Sequence, residues 1–488
     1  MSAVPLAPRL AYSDLPSGGA LIAGEWREAA GGMAIRDPED DALVGHVRRC
    51  STEDVDLAVD AALAALERDW PLHRRVQALR GAAPAVLDGA DRLARTIAAE
   101  GVKTLREARA EVARCAEVLR IASESGDVLV GETLASEASA RGEGRMGWFS
   151  REPLGVVAAI TSFNDPLNLV AHKVAPALLA GAPIVLKPSD QTPFSALILA
   201  EILLEAGVPA DRLSVICGGS EIGSALVSHP DVAVVSFTGG TRTAEEIVRV
   251  AGVKKMLMEL GGNNPTIVCA DADLDLAVEG IVAGAFGVAG QNCLSVQRVY
   301  AEVPVFPEVR DRVAAAARSL VVGSKRDPRT DVGPLVSDEA AVRVAELVDR
   351  AVAGGAELLA GGRRDGRFYA PTVLTGVPRR AAVMTEEVFG PAVTLESVDD
   401  VEEALRRAND CTFALQAGVF TRSLETATRL ARGLGAGAVL VNDTSDFRLD
   451  SMPFGGFKRS GIGREGIRSA VLEFTAPKCV LIPVPSPA

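Results

Sequence analysis

A chain of 488 residues is too long for one hydrophobic core and points to two or three domains. Its composition, 48% apolar and 24% charged, excludes a disordered or fibrous protein. A net charge of −13 with scattered Arg and Lys offers no clustered basic face for nucleic acid, yet it leaves an anionic ligand open, because local charge decides that.

The first nineteen residues, MSAVPLAPRLAYSDLPSGG, read as a loose arm. They lack a basic start followed by an apolar core, so no signal peptide is expected. No apolar run reaches the roughly eighteen residues of a membrane span. Seven cysteines, at 50, 115, 217, 269, 293, 411 and 479, are odd in number and widely spaced, with no Cys-x-x-Cys. That argues for a reducing cytoplasm and against a disulfide scaffold or a metal site.

Residues 21–50 read as short strands with turns. From Thr52 to about Glu124 the pattern is helical, opening at Ser51, Thr52, Glu53 and Asp54, with Val55, Val59, Ala62, Leu63 and Leu66 on one face. From Leu154 the texture changes. GVVAAIT, PIVLKP, LSVICG, VVSFTGG and KKMLMEL are short apolar runs separated by helical stretches, which predicts a parallel sheet wrapped by helices and suits a dinucleotide-binding unit. After Gly262 the alternation resumes as a second α/β domain. The final VLEFTAPKCVLIPV reads as a strand outside either core, able to form a small sheet with residues 136–152 and to pair with another subunit. The expected division is 1–135 with 154–260 for the dinucleotide, 261–457 for catalysis, and 136–153 with 470–488 for oligomerisation.

Gly461, Gly463 and Gly466 in GIGREG match G-x-G-x-x-G to the letter. No apolar strand precedes them, so the match is taken as accidental. A better phosphate-side loop is Phe237, Thr238, Gly239 and Gly240, between the strand VVS and the helix TAEEIVRVAG; a plain structural turn explains it equally well. Three further segments carry chemistry. GQNC ends at Cys293 among small residues. MELGGNNP puts Glu259 at the end of an apolar strand, where a carboxylate is costly unless used. TSFNDP puts Asn164 just past a strand end, where open α/β sheets place their sites.

With these segments in view, the chain resembles the aldehyde dehydrogenase superfamily from about Ala23 to the C-terminus. IAGEW, FNDPLN, VLKPSD, FTGG, MELGGNNP, GQNC, EEVFGP and MPFGGFKRSG stand in that family's order. The resemblance implies a Rossmann-like NAD-binding domain, an α/β catalytic domain and a small β oligomerisation sheet, assembled as a homodimer or homotetramer. It implies Cys293 as nucleophile, Asn164 and the Cys293 N–H as oxyanion donors, and Glu259 as the base that activates water. Lys173 would assist proton movement, or is simply a solvated helix lysine. For the cofactor it implies Lys187 and Glu387 on the ribose hydroxyls and Phe389 near the nicotinamide ribose. Asp190 would accept from the adenosine 2′-hydroxyl and repel a 2′-phosphate, favouring NAD over NADP; a helix cap before QTPFSAL is the competing reading. Gly240 stands where the family usually has serine, and Ala244 where it usually has glycine. Phe163 replaces a frequent Trp, and Asp165 a bulky residue.

FNDPLNLVAHKVAPAL and DFRLDSMPFGG resemble the branch that oxidises lactaldehyde and phosphonoacetaldehyde. This implies a small, polar, often anionic aldehyde, anchored by Arg114 and Arg448 with His172 as a further donor and Asp165 in the channel wall. The bland alternatives make Arg114 a surface residue and Arg448 a structural ion-pair partner. Asn292, neutral and next to Cys293, weakens the case for a strongly cationic pocket. Rival activities are acyl transfer to coenzyme A, which Glu259 disfavours, and non-catalytic NAD binding, which the intact Cys293, Glu259 and Asn164 disfavour.

Overall fold

The computed structural model describes residues 19–28 and 32–484, so all but the last residue of the expected N-terminal arm lies outside the described residues. The five apolar runs between 155 and 260 form five parallel strands, Val156–Ile160, Ile184–Lys187, Leu213–Val215, Val232–Thr238 and Lys255–Glu259. Helices cover both faces, which is why these strands read as unbroken apolar runs rather than alternating ones. Their spatial order starts at Leu213–Val215 and passes through Ile184–Lys187, Val156–Ile160 and Val232–Thr238 to Lys255–Glu259. The chain order reverses between Val156–Ile160 and Val232–Thr238, and the crevice beyond such a reversal is where open sheets take ligands. Ala20–Ile22 and Glu25–Arg27 extend one edge of the sheet, and Gly461–Ile462 closes the other, antiparallel to Lys255–Glu259.

Local signals explain the flanking helices. Ser51 accepts from Asp54 N while Asp54 accepts from Ser51 N, a reciprocal cap on Thr52–Leu66. Thr104 and Glu107 make the same arrangement at the head of Leu105–Glu124. Helix Asn168–Ala180 is buried at every residue, so it has no solvent face for its polar side chains.

A second sheet runs Glu357–Ala360, Thr372–Thr375, Ala392–Val398, Val296–Glu302, Asn264–Val268, Gln416–Phe420 and Ala438–Val441, parallel apart from the first strand. A third sheet pairs Thr475–Pro483 with Arg145–Pro153, and that strand with Glu132–Leu134. One expectation is corrected here. VLEF does not begin a strand: it closes the helix Ile467–Phe474, whose Ile467, Ala470, Val471 and Phe474 pack into the core of the first sheet, and the strand starts only at Thr475. Among the described residues no helix is long and apolar enough to cross a membrane.

Candidate active site

Helix Leu274–Phe286 ends in a backbone that turns left-handed at Val288 (φ 52°), Ala289 (φ 54°) and Gly290 (φ 68°). Such non-glycine positions cost about 1–3 kcal/mol each and persist only where neighbours over-determine them. Here Glu107 accepts from Val288 N at 2.8 Å, and buried Gln291 donates to Val288 O and Pro334 O and accepts from Val336 N. Asn264 Nδ2 then donates to Cys293 O (2.8 Å) and Ser295 O (3.0 Å). The turn delivers Cys293, half-buried, to a cleft of about 680 Å³. Its Sγ lies 3.8 Å from Asn292 Oδ1. Burial pushes the thiol well up, the Glu387 carboxylate adds to this, and Arg448 opposes it, so the resting sulfur keeps its proton.

Glu259 enters the same cleft from its strand end. It is buried, and neither carboxylate oxygen has a hydrogen-bond partner among the described residues. Burial first, and then Glu465, raise its proton affinity well above the ordinary carboxylate range. The two glycines that follow have separate duties. Gly262 N donates to Glu387 Oε1 at 3.0 Å, and a Cβ on Gly261 would fall 2.4 Å from Glu387 Oε2. A Cβ on Gly262 would fall 2.6 Å from Cys293 O. MELGGNNP therefore seats both the nucleophile loop and Glu387. Asn164 lines the cleft four residues past Val156–Ile160.

Lys173 is fully buried, which removes the solvated-lysine reading. Its Nζ donates to Glu465 Oε1 (2.8 Å) and Ser236 Oγ (3.0 Å). Burial raises the Glu465 carboxyl, but Lys173 and then Arg448 outweigh it and hold it well below the usual range. Arg448 Nη2 reaches Glu465 Oε2 at 3.5 Å, its guanidinium lies 3.7 Å from the centroid of the Phe454 ring, and its Nε has no hydrogen-bond partner among the described residues. Arg114, on Leu105–Glu124, pairs with Asp450 (2.9 Å) and Asp165 (3.5 Å) while lining the cleft, so it is both an ion-pair partner and a cleft residue. Asp165 also takes Lys103, whose Nζ donates to Glu111 at 2.8 Å.

His172 is corrected. It does not line the cleft: its side chain is fully buried, Nε2 meets Asp450 Oδ1 at 2.9 Å, and Nδ1 faces Arg448 at 3.4 Å. Burial, then Arg448, lower it to about 4, so it is neutral and spans Asp450 and Arg448 rather than donating to a ligand.

On the opposite side, Thr238, Gly239 and Gly240 line the cleft with Glu387 and Phe389. Phe237 points away and packs into the core, and a Cβ on Gly239 would meet its ring at 2.6 Å. Gly240 heads helix Thr241–Ala251 with nothing within 4 Å of where a Cβ would stand, an open approach to a helix N-terminus. Ala244 is buried in that helix. Phe389 holds φ 48° and packs edge-on against Phe163, centroids 5.9 Å apart. Burial raises the Glu387 carboxyl to about 7. Lys187 Nζ donates to Asp190 Oδ1 at 2.8 Å. The helix-cap reading of Asp190 fails, because the first N–H groups of Phe194–Glu205 go to Glu100 instead, at 2.7 Å and 2.9 Å. An open helix N-terminus, a carboxylate and a Lys–Asp pair at adjoining strand ends fit the phosphates and hydroxyls of a dinucleotide.

Sequence reasoning missed Glu465, Asp446 and Asp450. Glu465 stands inside the GIGREG match set aside as accidental, where Gly463 (φ 79°) and Gly466 (φ 87°) turn the chain back under the cleft. Asp446 and Asp450 flank Arg448 two residues away on either side, and that alternation of charge was the available signal.

Residues 26–480 match the family model described as aldehyde dehydrogenase family. The chain is 43% identical over 458 residues to aspartate-semialdehyde dehydrogenase 1 of Pseudomonas canavaninivorans, covering 93% of this chain and 97% of that one. It is 41% identical to 3-sulfolactaldehyde dehydrogenase of Priestia aryabhattai, covering 95% and 98%. Among solved structures, aldehyde dehydrogenase 21 of Physcomitrella patens, in complex with its reaction product succinate, superposes with a TM-score of 0.93 at 34% identity, covering 96% of this chain and 98% of that one. The family model spans most of the chain and the relatives match it over nearly their whole length, so the chain belongs to the aldehyde dehydrogenase family.

Proposed function

We propose that this protein oxidises a small anionic aldehyde, bearing a carboxylate, sulfonate or phosphonate, to the carboxylic acid with NAD. One observation carries the reading: a single cleft holds Cys293, Asn164 and Glu259 together with the Arg448 guanidinium, whose Nε has no hydrogen-bond partner among the described residues. The substrates named in two relatives, aspartate semialdehyde and 3-sulfolactaldehyde, and the succinate in the solved neighbour support it, since each carries a carboxylate or sulfonate group.

The thiol reaches the aldehyde with its proton on; as the C–S bond forms, that proton passes to water in the cleft and the carbonyl electron pair moves onto oxygen. Asn164 Nδ2 and the Cys293 N–H donate to the oxygen that becomes anionic; one such donor is worth about 2.7–4 kcal/mol in the transition state. A nicotinamide held by the cofactor-side residues would accept hydride from that carbon as the oxyanion re-forms its C=O bond, which would leave a thioester on Cys293. Glu259, once deprotonated, takes a proton from the water that attacks that thioester. The burial that raises the proton affinity of Glu259 also makes its carboxylate a stronger base. Lys187, Asp190, Thr238, Gly239, Gly240, Glu387 and Phe389 form the cofactor side. Asp190 favours NAD, because a 2′-phosphate would meet a carboxylate. We also propose that the strand Thr475–Pro483, paired on one side only among the described residues, forms a subunit contact in a dimer or tetramer.

The experiment is an aldehyde panel of 4-oxobutanoate, sulfoacetaldehyde, phosphonoacetaldehyde, propanal and benzaldehyde with NAD. NADH absorbance and product mass are followed with and without coenzyme A. The expected result is free acid, preference for the anions, and no turnover by Cys293→Ala. Preference for the neutral aldehydes, or an acyl-coenzyme A product, overturns it.

A further inference from the structure

Asp446 precedes Arg448 by two residues on the segment after strand Ala438–Val441. That segment is fastened tightly. Ser445 Oγ donates to Leu294 O at 2.8 Å, and Gln416 Nε2 donates to Ser445 O (2.6 Å) and Phe447 O (3.1 Å). Because Leu294 follows the nucleophile directly, these bonds fix Asp446 and Arg448 in register with Cys293. Asp446 Oδ1 accepts from Asn292 Nδ2, while Asn292 Oδ1 accepts from Leu294 N at 3.1 Å, so the amide is oriented from both ends.

The other oxygen of Asp446 has no hydrogen bond among the described residues, and the side chain lines the same cleft as Cys293 and Arg448. The neighbouring carboxylates differ. Asp165 pairs with Lys103 and Arg114, Asp450 with Arg114 and His172, and Glu465 with Lys173 and Arg448. Asp446 forms no ion pair among the described residues. The side chain is half-buried, so the second oxygen faces the cleft, where a donor on a bound ligand can take the place of water. Burial, and then Asp165, raise it to about 7.

We infer that Asp446 is a specificity-determining residue whose free oxygen accepts a hydrogen bond from a hydroxyl or ammonium group on the carbon next to the aldehyde, while Arg448 holds the acidic end of the same molecule. The position follows from the chain of contacts: Asp446 is bonded to the residue immediately before the nucleophile, so it meets substituents near the reacting carbon. The substrate class narrows from anionic aldehydes to those that also carry a donor beside the carbonyl. The inference rests on the anionic-aldehyde reading above.

The test compares kcat/KM for 4-oxobutanoate, 3-hydroxy-4-oxobutanoate and 3-amino-4-oxobutanoate in the wild-type protein and in Asp446→Asn. The amide keeps the Asn292 bond through its oxygen and turns an N–H toward the substituent, donor against donor. Wild type should prefer a substituted aldehyde by about 10-fold or more, the value of a hydrogen bond to a charged acceptor, and the variant should lose that preference. The favoured derivative tells hydroxyl from ammonium. Asp446→Ser, which removes the charge in a smaller side chain, should behave alike, and a melting curve reports folding. A wild type with no preference, or variants that keep it, overturns the inference alone. A wild type that oxidises none of the three overturns the anionic-aldehyde reading with it.

Discussion

Gly262→Ala tests how tightly the nucleophile is positioned. The added Cβ would stand 2.6 Å from Cys293 O and 2.7 Å from Asn264 Oδ1. The first is a backbone atom, and the second belongs to the side chain that holds Cys293 O and Ser295 O. Ordinary contact begins near 3.4 Å, so the loop must retreat by roughly 0.8 Å. Overpacking of this kind costs about 1–3 kcal/mol of stability, which a chain of this size tolerates. The larger effect is on rate, because a misplacement near 1 Å costs on the order of 100-fold. Stopped-flow NADH formation with 4-oxobutanoate should show the burst and the steady rate falling together, and iodoacetamide should modify Cys293 at an altered rate. Gly240→Ala is the steric control, with nothing within 4 Å and an ordinary φ of −68°, and its melting temperature should not fall. A Gly262→Ala protein that turns over within about 3-fold of wild type would refute the argument.

Lys173→Met leaves the fully buried Glu465 with Arg448 as its one remaining ion-pair partner among the described residues. Losing one partner of a buried pair costs about 3–5 kcal/mol, so the melting temperature should drop by several degrees; an unchanged melt would show that Arg448 or water suffices. Asp190→Ser should shift the ratio of kcat/KM for NAD over NADP toward NADP by at least about 10-fold, read by absorbance with each cofactor; an unmoved ratio removes Asp190 from cofactor choice. Burial raises the Glu100 carboxyl to about 7 in the folded chain. A raised carboxyl stabilises most below its unfolded value, so its contribution is lost as pH rises from about 4.5 to about 7, by roughly 3 kcal/mol in all. Denaturation of wild type against Glu100→Gln across that range should show the difference shrinking toward alkaline pH, and a flat difference would contradict it.

Much of the fold was legible because the parallel strands are covered on both faces and read as apolar runs, so all five between 155 and 260 appear where expected. Cys293, Glu259 and Asn164 were legible for a related reason: each is a polar residue at the end of an apolar element, a place of little use to packing alone. Lys173 shows what was overlooked. Helix Asn168–Ala180 is apolar around its whole circumference, so a lysine in it has no solvent face, and burial was readable before any contact was known. Glu465, Asp446 and Asp450 were not readable in this way, because a carboxylate acquires its meaning from partners hundreds of residues away. Arg114 and Asp450, for instance, are separated by 336 positions. VLEF failed because four apolar or acidic residues fit a helix end as well as a strand start, and only the packing of Val471 and Phe474 into the core decides.

The pairing of Arg448 with Glu465 bears on how this cleft can be re-engineered. An attempt to widen it for neutral aldehydes would begin by replacing the arginine with an apolar residue. That leaves a fully buried carboxylate with one of its two cations gone, close enough to Glu259 to raise the proton affinity of the proposed water-activating group further. The protein so made would acquire its apolar pocket and lose control of that proposed base together. Change at this position has to come in pairs, the arginine with the glutamate or not at all, and a library that varies single residues here will sample mostly broken enzymes.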